Sequence, residues 1–158
     1  PEAVKAAGAV GVMLNHTERP LSLSALTRTL QRARELSLMS IVCADSMPET
    51  KAVAQLAPDL MITEPTELIG TGQACDMTYV RQSFDAVMGI NPNIGVLVGG
   101  GISNGQDVYN TIMAGADATG SSSGIVKAAS PEKMVDEMLR ALRQAWDDRN
   151  GRAAHGQI

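Results

Sequence analysis

The chain has 158 residues, 44% of them apolar and 19% charged, with a formal net charge of −4. That is enough for one domain with a sizeable core, in the balance of an ordinary globular protein. The dispersed basic residues exclude nucleic acid as a main partner, because binding its phosphate backbone needs clustered Lys and Arg.

No apolar run approaches the roughly 20 residues that cross a bilayer, so no membrane partner is expected. The N-terminus, PEAVKAAG, lacks the charged and apolar regions of a signal peptide. The two cysteines, Cys43 and Cys75, have no second Cys or His at metal-ligand spacing. The expectation is a cytoplasmic protein with reduced thiols, without a metal or organic cofactor. With one Phe, two Tyr and one Trp against nine Met, the core must be aliphatic.

In chain order, a residual helix end at Glu2 to Ala7 precedes a first apolar run, Ala9 to Leu14. Leu21 to Leu36 then places Leu23, Leu26, Leu30 and Ala33 at helical spacing. Met39 to Ala44 is the second run, followed by a helix from about Pro48 to Leu56, with proline in its first turn. Leu60 to Thr63 is the third run; the Gly-containing stretch Pro65 to Gly72 leads to a helix from Met77 to Met88. Ile94 to Val98 ends in Gly99, Gly100 and Gly101 before a helix from Gly105 to Ala114. Ala116 to Thr119 is a short fifth strand, and Pro131 opens a last helix to about Trp146. Five strands alternating with five helices predict an α/β fold with a parallel sheet and right-handed crossovers. The tail, Asp147 to Ile158, is polar and expected to fray.

In parallel α/β folds the functional residues gather where strands end. Here those ends carry Asn15, His16 and Glu18, then Glu64, then Gly99 to Gly101, then Gly120 to Gly124 with three serines. Glu64 is a candidate general base and His16 a group able to polarise a carbonyl. Glycines and small serines let a phosphate approach backbone N–H groups closely. A base, an electrophile and a phosphate cradle suit proton transfer alpha to a carbonyl in a small phosphorylated sugar. Each feature alone is also found on ordinary surfaces.

Their wording is more specific. LNHTER, Leu14 to Arg19, resembles the strand-four motif of triosephosphate isomerases, where the histidine is the electrophile. EPTELIGTG, Glu64 to Gly72, resembles that family's catalytic glutamate followed by its mobile phosphate-gripping lid. VGGGISNGQDV, Val98 to Val108, is similar to its seventh loop and helix, and GADATGSSSGIVKA, Gly115 to Ala128, to its eighth strand and phosphate loop. The wording looks closest to the archaeal-type branch. The resemblance implies a partial (βα)8 barrel domain over residues 1–146, with a polar tail over 147–158. It further implies His16 as electrophile, Glu64 as base and Glu18 as the buried acidic partner of the histidine motif. It implies that backbone N–H groups at Gly70, Gly101, Ser122 and Ser123 hold the phosphate, with Asn15 helping to fix the histidine loop.

A full barrel of this type has about eight βα units. The resemblance implies that this chain supplies about five, without the first strands and the asparagine and lysine they carry in the family. The four lysines, Lys5, Lys51, Lys127 and Lys133, fall at helical or helix-flanking positions. Two functions stay open. One is interconversion of glyceraldehyde 3-phosphate and dihydroxyacetone phosphate, at a weakened rate. The other is an inactive phosphate-binding part-barrel that takes inorganic phosphate or sulfate. Either way, outer strands with exposed parallel edges favour a homo-oligomer or a separate N-terminal partner.

Overall fold

The computed structural model describes residues 1–65 and 76–155. Its strands are β1 (Gly11–Leu14), β2 (Met39–Ala44), β3 (Leu60–Thr63), β4 (Gly95–Val98) and β5 (Ala118–Thr119). They pair in parallel, in the order β1-β2-β3-β4-β5. The helices are α1 (Glu2–Ala6), α2 (Leu23–Glu35), α3 (Met47–Ala54), α4 (Met77–Met88), α5 (Gly105–Met113), α6 (Ser123–Val126) and α7 (Pro131–His155).

Strand order equal to chain order has a consequence. Right-handed crossovers that never reverse direction put every connecting helix on one face of the sheet, as in a barrel wall. Strand alternation sends Val42, Ala44, Met61, Val96 and Val98 to that face, where they pack with Leu26, Leu30, Val53, Val80 and Val87 of the helices. Met13, Ile41, Cys43, Ile62 and Leu97 point to the other side, which brings the sheet's C-terminal ends together around a shared mouth.

The helices start where short polar side chains can accept their first N–H groups. Ser22 caps α2, Ser46 caps α3, Asp76 caps α4 and Asn104 caps α5, each through its side-chain oxygen. β2, β3 and α4 have the bounds expected from the sequence. β1 begins at Gly11 and β5 is confined to Ala118 and Thr119, because only those positions find parallel partners.

Two features depart from expectation. The one-turn helix α6 sits inside the Gly/Ser-rich stretch after β5. The last helix does not stop near Trp146 but continues to His155. Its continuation is anchored from outside: Tyr109 Oη donates to Asp148, and Arg149 Nη1 donates to the carbonyls of Ile112, Gly115 and Ala116. These bonds tie the polar segment to the end of α5, an interaction that periodicity within the segment does not reveal. Among the described residues, no helix is long and apolar enough to cross a membrane.

Candidate active site

His16 and Glu64 come from strand ends 48 positions apart in sequence, yet His16 Nε2 lies 3.9 Å from Glu64 Oε1. They meet because β1, β2 and β3 are adjacent and parallel, so the loops that follow them share one rim. The distance exceeds hydrogen-bonding range, and both groups face the same space without being committed to each other. On the far side of the imidazole, the backbone N–H of Glu18 donates to Nδ1 at 3.4 Å. A neutral ring that accepts at Nδ1 carries its proton on Nε2, the nitrogen turned toward Glu64.

Glu64 is mostly buried, with 19% of its side chain exposed. Burial raises its pKa above the ordinary carboxylate value, and nearby His16 offsets part of that rise. A raised pKa makes the carboxylate a stronger base, which suits proton abstraction. Gly99, at the end of β4, backs the carboxylate: a Cβ built there would lie 2.6 Å from Glu64 Oε2. The absence of a side chain is therefore what allows this seat.

From Gly99 the rim continues into the next loops. Gly100 and Gly101 have φ of +89° and +74°, a region that favours glycine. Ser121 Oγ donates to Ile102 O at 2.6 Å, joining the loop after β4 to the loop after β5. Gly124 deepens that contact, since a Cβ there would lie 2.6 Å from Ile102 O. Ser122 is the residue before α6 and Ser123 its first. His16, Glu64, Gly101, Ser122 and Ser123 thus follow one another around the C-terminal mouth of the sheet. Gly70, with the rest of the stretch 66–75 and Cys75, lies outside the described residues.

Glu18 departs from the expected burial. Its side chain is 85% exposed, and its carboxylate stands 3.8 Å from His16 Nδ1. β1 is an edge strand, and among the described residues no strand flanks it on its other side.

The space beside His16 and Glu64 is a cavity of about 180 Å³, with Cys43, Asp45 and Glu49 in its wall. It is smaller than the roughly 300–1,000 Å³ of drug-sized ligand pockets, and suits a small substrate. Among the described residues its lining includes no Lys or Arg. Cys43 is buried, and burial, followed by Glu64 and Glu49, pushes its thiol up to about 11. At neutral pH it stays protonated and is no nucleophile. A larger groove of about 740 Å³ runs between α5 and α7 past Tyr109, Lys133 and Arg140, but it holds none of the candidates.

Sequence reasoning missed three of these contributors. Gly99 was visible only as the first of a glycine run, and Cys43 only as a strand residue. Glu49 carries a readable signal, since Ser46 and Glu49 have the Ser-x-x-Glu spacing of a helix-capping box.

Comparison with known proteins bears on this arrangement. The family model described as triosephosphate isomerase matches residues 1–138. The triosephosphate isomerase of Methanosarcina barkeri is 40% identical over 144 residues, which cover 89% of this chain and 65% of that protein. That of Sulfurisphaera tokodaii is 40% identical over 149 residues, 93% of this chain and 65% of the relative. The chain therefore spans about two thirds of the length of these curated relatives. Among solved structures, 3-hexulose-6-phosphate synthase from Salmonella typhimurium aligns with a TM-score of 0.69 at 19% identity, covering 91% of this chain and 66% of that one. A thiamine phosphate pyrophosphorylase from Pyrococcus furiosus aligns with a TM-score of 0.68 at 17% identity, covering 91% and 64%. At such identities these two speak for the fold alone.

Proposed function

Because this chain belongs to the triosephosphate isomerase family, we propose that it carries the proton-transfer site of an isomerase interconverting glyceraldehyde 3-phosphate and dihydroxyacetone phosphate. The observation that carries this reading is the pairing across the cavity, His16 Nε2 and Glu64 Oε1 at 3.9 Å, with Nδ1 of the imidazole already engaged by a backbone N–H.

In this reading Glu64 removes the proton from the carbon beside the carbonyl and returns it to the neighbouring carbon. Its raised pKa and partial burial favour that task. The Nε2–H of His16 donates its proton to the carbonyl oxygen as negative charge develops, and Nε2 recovers a proton from the adjacent hydroxyl as that becomes the new carbonyl. The donor is positioned before reaction, which lowers the barrier. Glu18 orients the imidazole by holding its far nitrogen through the backbone. The backbone N–H groups at Gly101, Ser122 and Ser123, with Gly70, hold the phosphate, and the left-handed backbone at Gly101 supports its close approach.

The test is the isomerase rate of the purified chain beside its Glu64→Gln variant. The reading expects a fall of at least about a hundredfold in kcat, of the order that loss of a general base brings. Equal rates in the two proteins sink it.

A second reading is favoured by one observation, the absence of Lys and Arg from the described cavity lining. Without a fixed cation near the developing charge, catalysis loses an electrostatic contribution of up to several kcal/mol. The chain would then be a phosphate-binding part-barrel. Calorimetry shows inorganic phosphate or sulfate binding in that case while the isomerase rate stays at background. In either reading the exposed edge strand β1 would pair with another copy of the chain or with a separate partner chain.

A further inference from the structure

Asn15 is the residue before His16, and its φ is +59°, a left-handed conformation that asparagine adopts when its side chain hydrogen-bonds locally. Its amide makes three bonds. Nδ2 donates to Cys43 O at 3.0 Å and to Glu49 Oε1 at 2.9 Å, while Oδ1 accepts from Leu21 N at 2.9 Å. One side chain thus closes the histidine loop at its start and end and fastens it to the end of β2 and the start of α3. Within the loop, Arg19 N donates to His16 O at 2.7 Å.

Glu49 is the charged end of this clamp. In an ordinary capping box its carboxylate would return to the N–H of the capping serine. Here Oε2 accepts from Asp45 N at 2.9 Å, one residue earlier, which leaves Oε1 for Asn15. The comparable acid at the start of α5, Asp107, accepts from both the N–H and the hydroxyl of Ser103 through its one oxygen Oδ2. Capping therefore needs one residue, and the second oxygen of Glu49 serves another purpose. A hydrogen bond to a carboxylate is roughly twice as strong as one between neutral groups. β1 is an edge strand, and the side-chain bonds of Asn15 to other elements reach the β2 side, to Cys43 and Glu49.

We infer that Glu49 is a positioning residue for His16, acting through Asn15: it fixes the loop so that the imidazole presents Nε2 to the cavity. The use of that imidazole in catalysis rests on the function proposed above; its placement does not.

Two substitutions separate the parts. Glu49→Gln has one acceptor oxygen where two donors arrive, so an N–H must face another N–H. Asn15→Gly keeps the left-handed backbone but removes the clamp. With two histidines in the chain, His16 and His155, the imidazole 15N signals of His16 can be assigned through a His155→Gln control. In the parent chain we expect well-separated signals, one for a protonated Nε2 and one for a bare Nδ1. In either variant they should move together as the tautomers exchange, while backbone amides far from the loop stay in place. In the double variant the change should be no larger than in Asn15→Gly alone, because the two residues act as a unit.

Unchanged His16 signals in Glu49→Gln would overturn the inference, whatever Asn15→Gly does. So would a further shift when Glu49→Gln is added to Asn15→Gly, which would mean that the carboxylate acts on the ring directly. If the parent chain is an active isomerase, both variants should lower kcat by about 10- to 100-fold with KM within about twofold. An inactive chain with the expected His16 signals removes the isomerase reading and leaves the positioning role standing.

Discussion

A methyl group at position 99 probes how Glu64 is seated. The new Cβ would lie 2.6 Å from Glu64 Oε2, and the carboxylate, being the free end of a side chain, can swing away from it. Folding is therefore little affected: Gly99→Ala should change stability by less than about 1 kcal/mol in urea unfolding. Under the function proposed above, catalysis depends on where this carboxylate points, so the isomerase rate should fall by about 10- to 100-fold. A large loss of stability with an unchanged rate would contradict the seat described for Glu64. The same carboxylate sets a pH dependence. Its folded-state pKa is raised, by burial above all, so folding favours the protonated form. That contribution is complete below the unfolded pKa of about 4.3 and is lost as pH rises through the folded value. At neutral pH the ionised group costs stability, and Glu64→Gln should raise Tm there. The gain should vanish in acid below the unfolded pKa, and a constant gain at all pH values would refute the assignment.

At the scale of elements, hydrophobic periodicity made most helices legible. Leu26, Leu30 and Ala33 form the buried stripe of α2 that their spacing predicts, whereas Leu23, in the same spacing, is 62% exposed at the first position of the helix. Proline and polar caps marked the helix starts. The end of α7 was not legible, because the groups that hold it lie 33 to 39 positions away in sequence. Arg149 should therefore matter more than an exposed helical arginine usually does. Arg149→Met keeps much of the side-chain length but leaves the carbonyls of Ile112, Gly115 and Ala116 without their donor. It should lower stability by about 1–3 kcal/mol, read from the denaturation midpoint. A shift within error would mean that the helix end adds nothing to the fold. α6 also escaped the sequence reading, since four residues are too few to show a period.

For the molecule as a whole, the open edges of the sheet decide how it meets other chains. Val10 is 80% exposed and Met13 is 55% exposed, both at β1. Unpaired strand edges with apolar side chains favour association, and an edge lysine opposes it. Met13→Lys should therefore shift light scattering toward the monomer, with the far-UV spectrum unchanged. A parent chain that is already monomeric at micromolar concentration would remove the basis of this prediction. The α/β alternation, the parallel sheet and the family are all legible in the amino-acid sequence. Local periodicity and short motifs suffice for these, because each is written within a few neighbouring residues. The exposure of Glu18, the backing of the Glu64 carboxylate by Gly99 and the reach of Glu49 to Asn15 across two strand ends emerge only in the folded chain. Those relations join residues from separate βα units, and burial, close approach and a shared carboxylate exist only once the strands have lined up.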